Sequence, residues 1–186
     1  MNQTVLLEQQ AWWLLSTTVL AVLLIAAAIS DVRARRVANR LNLAILIMGL
    51  LLSRPWPPAL GAIGDCLGGV AVGMAIWFPM YLLRLVGAGD VKLIAASGAW
   101  LGIPGTLYAS VATATVGGVL GLAWMLRRQG VGAAVMAVTQ AIRAPSLLQL
   151  RPLDRRERVP YAVAIAGGVF LVWLRSGGLF KLPILD

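Results

Sequence analysis

Long apolar runs punctuated by short basic clusters constrain this chain more than any other feature. Residues 12–30 form one apolar run, and Arg33, Arg35, Arg36 and Arg40 follow it at once. A hydrocarbon core about 30 Å thick asks for roughly 17–25 apolar residues per helix. Because lipid cannot hydrogen-bond the backbone, a helix is the expected form for each run. Hydrophobic residues make up 60% of the 186 and charged residues 12%, which excludes an ordinary soluble domain.

The runs predict an all-α, polytopic integral membrane protein with six transmembrane helices in a single domain over residues 1–186. The expected spans are 12–30, 37–53, 61–83, 90–104, 106–126 and 159–174. Residues 1–11 contain Glu8 but no Lys or Arg, so the first run is read as a retained helix and not as a cleaved secretory signal. Residues 91–103 are short for a span. Either the helix begins near Asp90 and continues through Pro104, or the segment is partly re-entrant; both need protein around irregular backbone. Basic residues recur through 127–158, where Val131, Val135, Val138 and Ile142 have helical spacing. Part of that basic segment is expected to lie along the cytoplasmic surface.

A formal charge of +9 raises nucleic acid as a partner, but the charges alternate with the spans as topology signals do. Six spans place Arg33, Arg35, Arg36, Arg40, Arg84, Lys92, Arg127, Arg128, Arg143, Arg151, Arg155, Arg156 and Arg158 inside, leaving only Arg54, Arg175 and Lys181 outside. Both termini are then outside. Membrane lipids, not nucleic acid, are the expected partner of the basic surface.

The chain has no histidine and one cysteine, Cys66. Ser-His-Asp and Cys-His nucleophiles, His-ligated metals and Cys-rich zinc sites are therefore outside its chemistry. Small-xxx-small spacings at Gly64/Gly68, Gly69/Gly73, Gly98/Gly102 and Gly117/Gly121 are read as close helix packing.

Of the seven acids, Glu8 and Asp186 lie near the termini, and Asp65 stands at the outer end of the third span. Asp154 and Glu157 are interleaved with Arg155, Arg156 and Arg158. Asp31 and Asp90 remain. Two spans separate them, so both reach the same face at similar depth. Asp31 has Arg35 four residues on and admits a reading as an exposed ion-pair partner; Asp90 after Gly89 admits a reading as a helix N-cap. Two carboxyls close together in a partly dry site instead share a proton. One then serves as general base on a water while the other polarises a carbonyl. Gly87 and Gly89 would allow a turn and the close approach of an extended substrate, with Lys92 beside them.

These residues resemble a known family. Gly87-Ala88-Gly89-Asp90-Val91-Lys92-Leu93, continuing to Gly98-Ala99-Trp100-Leu101-Gly102, is similar to the GxGDxKL…GxWLG signature of the type IV prepilin peptidases. The segment from Asp31 through Val32, Arg33, Ala34, Arg35, Arg36, Val37, Ala38 to Asn39 resembles the family's first-aspartate segment, with Ala38 in place of its usual proline. Val159-Pro160-Tyr161-Ala162 resembles the Pro-Tyr-Gly-Pro segment that opens the last helix, with Ala162 in place of glycine.

The resemblance implies a membrane aspartic endopeptidase that cuts the leader from prepilin or pseudopilin substrates at the cytoplasmic face of the bacterial inner membrane. It implies Asp31 and Asp90 as the catalytic pair, with no metal and no cofactor. Larger members carry paired CxxC zinc motifs and methylate the new N-terminus; this chain, with Cys66 alone, looks like the short form serving Flp/Tad-type pili and is expected to lack methyltransferase activity. The residues also leave open an ion- or proton-coupled transporter using the acids as a relay, a non-enzymatic pilus or secretion assembly subunit, and a presenilin-like GxGD protease with deeper acids.

Overall fold

The computed structural model describes residues 3–34, 37–53, 60–83, 86–143 and 161–176. They form five helices: α1 (Gln3–Ala34), α2 (Asn39–Leu52), α3 (Leu60–Leu82), α4 (Ala88–Arg143) and α5 (Tyr161–Ser176). Three stretches are long and apolar enough to cross a membrane, Gln10–Ala34, Gly61–Leu82 and Ala88–Gly121; Asn39–Leu52 and Tyr161–Arg175 are shorter apolar helices. The all-helical architecture follows from the backbone's need for internal hydrogen bonds in an apolar setting.

The structure draws one helix, α4, across the two expected spans 90–104 and 106–126. Residues 88–143 carry helical hydrogen bonding without the gap expected at residue 105, and residues 127–143 extend the helix well past the fifth predicted span. The interruption lies at Gly102 instead, where φ is +67°. Pro104 stays inside the helix, two residues beyond that point, where the lost N–H falls among donors already orphaned by a helix start.

At Gly102 the chain turns back. Going from Gly69 to Gly73 on α3, the touching residues on α4 move backwards, from Gly98 to Ala95. Going from Asp65 to Trp77, they move forwards, from Ile103 to Ser110. The first part of α4 therefore runs antiparallel to α3 and the second part parallel to it. Only glycine holds a left-handed φ of this size without strain. Asp65 supplies the other half of the corner: its Oδ1 accepts the Ile103 N–H at 3.0 Å, as an N-cap carboxylate does at a helix start. Its carboxylate occupies the place where a Gly102 Cβ would stand.

The first part of α4 is the centre of the bundle. Val91 and every residue from 93 to 100 are buried. Gly69 and Gly98 permit this: a Cβ on either would collide with the backbone of the other helix, so the two backbones meet as small-residue helix interfaces allow. Gly64 and Gly121 face open space, so not every small-xxx-small spacing marks a contact.

Two tryptophans tie four helices together. Trp100 donates Nε1–H to the Ile45 carbonyl of α2 at 2.8 Å, and Gly49, one turn on, leaves room for its ring. Trp100 meets Trp173 of α5 edge to face, with ring centroids 5.5 Å apart. Trp173 in turn donates Nε1–H to Thr17 of α1 at 3.0 Å. Large apolar side chains such as Leu14, Leu15, Val22, Ile25 and Ile29 point outward, a contiguous display that soluble monomers avoid and lipid tolerates.

Gly102→Ala is expected to lower stability by about 1–3 kcal/mol or more, the cost of a left-handed non-glycine residue, with the displaced Asp65 carboxylate adding to it. Gly121→Ala, facing open space, should be neutral or slightly stabilising. Thermal unfolding of the two variants in detergent checks the contrast; equal midpoints would remove the corner from Gly102.

Candidate active site

Asp31 ends the buried stripe of α1. Ser16, Leu20, Leu24, Ala27 and Asp31 are all buried, with the three- and four-residue steps of one helix face. At 8% exposed, Asp31 is buried and not on an exposed face; Arg35, four residues on, lies outside the described residues. The Asp31 Oδ2 accepts the Ala162 N–H at 3.2 Å. That donor is in the first turn of α5, whose N–H groups have no intrahelical acceptor and carry the positive end of the helix dipole.

Asp90 occupies a related position on α4. It is not the N-cap. Gly87 takes that place, its carbonyl accepting the N–H groups of Asp90 and Val91 at 3.1 and 3.2 Å. The Asp90 Oδ2 reaches back to accept the Gly87 N–H at 3.1 Å, the return half of a capping box. Each acid is thus held by a main-chain donor at a helix N-terminus. Gly89 lies inside the first helical turn, not in the turn before it, and its Cα hydrogen side faces Val37 at ordinary contact distance.

Adjacent residues of α5 face the two acids: Ala162 donates its N–H to Asp31, and Tyr161 lies within electrostatic range of Asp90. Tyr161 is fixed in turn: its ring meets Trp77 edge to face at 6.4 Å and fills the space beside Gly117. Were α4 straight, residues 90 and 117 would lie about 40 Å apart and could not share Tyr161 as a neighbour.

The segment bearing Asp90 is stitched to α2. Asn42 of α2 donates Nδ2–H to the Gly89 carbonyl at 3.3 Å. Lys92 donates from Nζ to the Asn39 Oδ1 at 3.1 Å. Lys92 is exposed, so this bond is worth little in stability, but it joins the entry of α2 to the first turn of α4. Asn42 is 5% exposed, and its Oδ1 has no hydrogen-bond partner among the described residues. An amide flip would set that oxygen against the Gly89 carbonyl, so the orientation is fixed by repulsion.

The structure sets Gly87, Gly89, Asp90 and Lys92 at the N-terminus of α4 and Asp31 against the N-terminus of α5. Asp154, Glu157 and Asp186 lie outside the described residues. Sequence reasoning passed over Asn42, Tyr161 and Asp65. Asn42 had a signal, a lone amide in the apolar run Leu41-Asn42-Leu43. Asp65 had none, because the corner it caps is a tertiary feature.

A helical bundle of transmembrane character buries one carboxyl against the start of α5 and sets a second in the first turn of α4. The type IV leader peptidase family model matches residues 18–122, more than half of the chain and both acids. The chain belongs to that family. It is also similar to a prepilin leader peptidase/N-methyltransferase of Xanthomonas campestris pv. campestris, 33% identical over 105 residues. That match covers 53% of this chain and 36% of the relative, so the chain covers little more than a third of that protein's length. No solved structure matches.

Asn42→Leu is expected to change stability by no more than about 1 kcal/mol, because the lost hydrogen bond is offset by removal of a buried, unpaired oxygen. A fall of several kcal/mol in detergent unfolding would instead make Asn42 a structural strut.

Proposed function

We propose that this chain is a membrane-embedded aspartic endopeptidase that removes the leader peptide from prepilin-like proteins at the cytoplasmic face. The observation that carries the reading is that α5 opens against the acids: Ala162 donates its N–H to Asp31 at 3.2 Å, and its neighbour Tyr161 lies within electrostatic range of Asp90. Family membership rests on residues 18–122, yet α5, outside that match, contributes to the same site.

In this mechanism one carboxylate takes a proton from a water as its oxygen attacks the scissile carbonyl carbon. The other, protonated, hydrogen-bonds the carbonyl oxygen and stabilises the tetrahedral intermediate. Collapse breaks the C–N bond, and the proton held by the base passes to the leaving amine. The main-chain donors at Asp31 and Asp90 hold both side chains in place. Gly87 and Gly89 keep the approach to Asp90 free of side chains, and Lys92 braces it from the α2 side.

The membrane arrangement in this reading has six crossings, because the reversal at Gly102 makes two passes of α4. It places the acids inside and both termini outside in a bacterial inner membrane, as the basic clusters favour. The single cysteine, Cys66, is buried beside Ser53, so peptide cleavage alone is proposed for these 186 residues, and methyl transfer is not carried over from the longer relative. Flp/Tad-type prepilins are the proposed substrates.

Asp31→Asn and Asp90→Asn preserve shape and are each expected to reduce cleavage of a prepilin-like peptide by roughly 10²–10⁴-fold, the range general acid–base groups supply. Wild-type rates in either variant would sink the assignment. The same assay with purified protein in detergent separates the rivals, since a transporter or an assembly subunit would cut nothing. For topology, cysteines placed at position 2 and at position 38 in a Cys66→Ser background should be labelled from opposite sides of sealed vesicles; labelling from one side would overturn the orientation.

A further inference from the structure

Stability gives no reason for an amide at position 42. Asn42 carries the sole polar side chain of residues 41–52, and it is buried at 5% exposure. Its Nδ2 reaches the Gly89 carbonyl at 3.3 Å, which is long for such a bond. Its Oδ1 is unpartnered among the described residues. A buried polar atom without a partner costs about as much free energy as one hydrogen bond returns. Leucine has the same branched outline and carries neither the gain nor the cost.

What the amide does is hold the peptide unit that leads into Asp90. That unit joins Gly89 to Asp90 and is planar and rigid. Its N–H, on Asp90, bonds the Gly87 carbonyl at 3.1 Å, while its carbonyl, on Gly89, accepts the Asn42 Nδ2–H. Both ends are thereby tied. Glycine has the widest backbone freedom of any residue, and Asp90 follows directly on Gly87-Ala88-Gly89. With the Gly89 carbonyl untied, the unit could swing and take the Asp90 side chain with it.

The anchor behind Asn42 is firm. Asn42, Ile45 and Gly49 are buried residues of α2, at the three- and four-residue steps of one helix face. The Ile45 carbonyl accepts the Trp100 Nε1–H at 2.8 Å, and Gly49 leaves room for the same indole. The backbone N–H of Asn42 bonds the Ala38 carbonyl at 3.2 Å. The neighbouring bond from Lys92 to Asn39 is exposed, whereas Asn42 acts in the interior, where hydrogen bonds are stronger.

We propose that Asn42 is a positioning residue for Asp90: it fixes the Gly89–Asp90 peptide, and so the direction in which the carboxyl is offered to water and substrate. The inference rests on the peptidase reading and adds to it a side chain that touches no reacting atom. Displacing a reacting group by about 1 Å costs on the order of 10²-fold in rate. The Asp90 Oδ2 keeps its bond to the Gly87 N–H in any Asn42 variant, so the loss is partial.

The test compares full-length Asn42→Leu, Asn42→Ala and Asn42→Gln with wild type in detergent on one prepilin-like peptide, measuring kcat, KM and the thermal midpoint. Asn42→Leu and Asn42→Ala remove the donor and are expected to lower kcat about tenfold or more, inside the range for a misplaced group. KM should stay within about twofold, as for an interaction felt in the transition state. The two kcat losses should be similar, although Asn42→Ala leaves a cavity and lowers the midpoint further. Asn42→Gln keeps an N–H donor and should exceed both in kcat. A kcat for Asn42→Leu within about twofold of wild type leaves no transition-state interaction to lose and overturns the positioning role. So does a kcat that falls in step with the midpoint across the three variants, or an Asn42→Gln no better than Asn42→Leu; the peptidase reading stands in each case. Failure of both Asn42→Leu and Asn42→Ala to fold makes Asn42 a structural strut and overturns the role as well. Absence of cleavage by wild type overturns the peptidase reading, and the positioning role with it.

Discussion

The reversal of α4 at Gly102 is the constraint on which the rest of the arrangement depends. It brings Gly117 back beside Tyr161 at the start of α5, and it lets α3 contact α4 before the corner at Ala95 and after it at Ser110. An apolar medium makes such a corner costly, because it exposes helix-end donors with no water to satisfy them. Asp65 meets that cost with a carboxylate oxygen on the Ile103 N–H, and Thr106 returns a hydroxyl bond to the Gly102 carbonyl at 2.7 Å. An acid far from the candidate chemistry therefore has a structural reason for its place in an apolar chain.

Around that corner, packing is achieved by absence as much as by presence. Gly69 and Gly98 let α3 and α4 approach until their backbones touch, and Gly168 admits Thr113 of α4 against α5. Without a hydrophobic driving force between helices in lipid, such contacts are held by dispersion and by hydrogen bonds. The bonds from Trp100 and Trp173 cross helix boundaries, and indole N–H groups inside an apolar bundle need partners. The outcome is a rigid frame on which α1, α2, α4 and α5 converge near the two acids.

Both acids meet helix starts, Asp31 from outside α5 and Asp90 from within α4. A buried carboxylate is expensive unless it is hydrogen-bonded, and a helix N-terminus offers unpaired donors and a favourable dipole without adding a cation. Main-chain N–H groups supply one such bond to each acid, from Ala162 to Asp31 and from Gly87 to Asp90.

The sequence by itself determined the helical class, because long apolar runs permit little else in lipid, and it determined the family through the residues around Asp31 and Asp90. It also singled out those two acids, since a chain with seven acids and no histidine offers few alternatives. The tertiary structure decided the rest. Hydropathy could not show which face of each helix turns inward, because lipid and protein interior are equally apolar; the stripe ending at Asp31 becomes visible only once packed. It could not place the corner, since Gly102 differs from other glycines only in its φ and in the Asp65 carboxylate beside it. Nor could it bring Tyr161 and Ala162 to the acids, because that meeting depends on four helices converging from positions as far apart as residues 31 and 162.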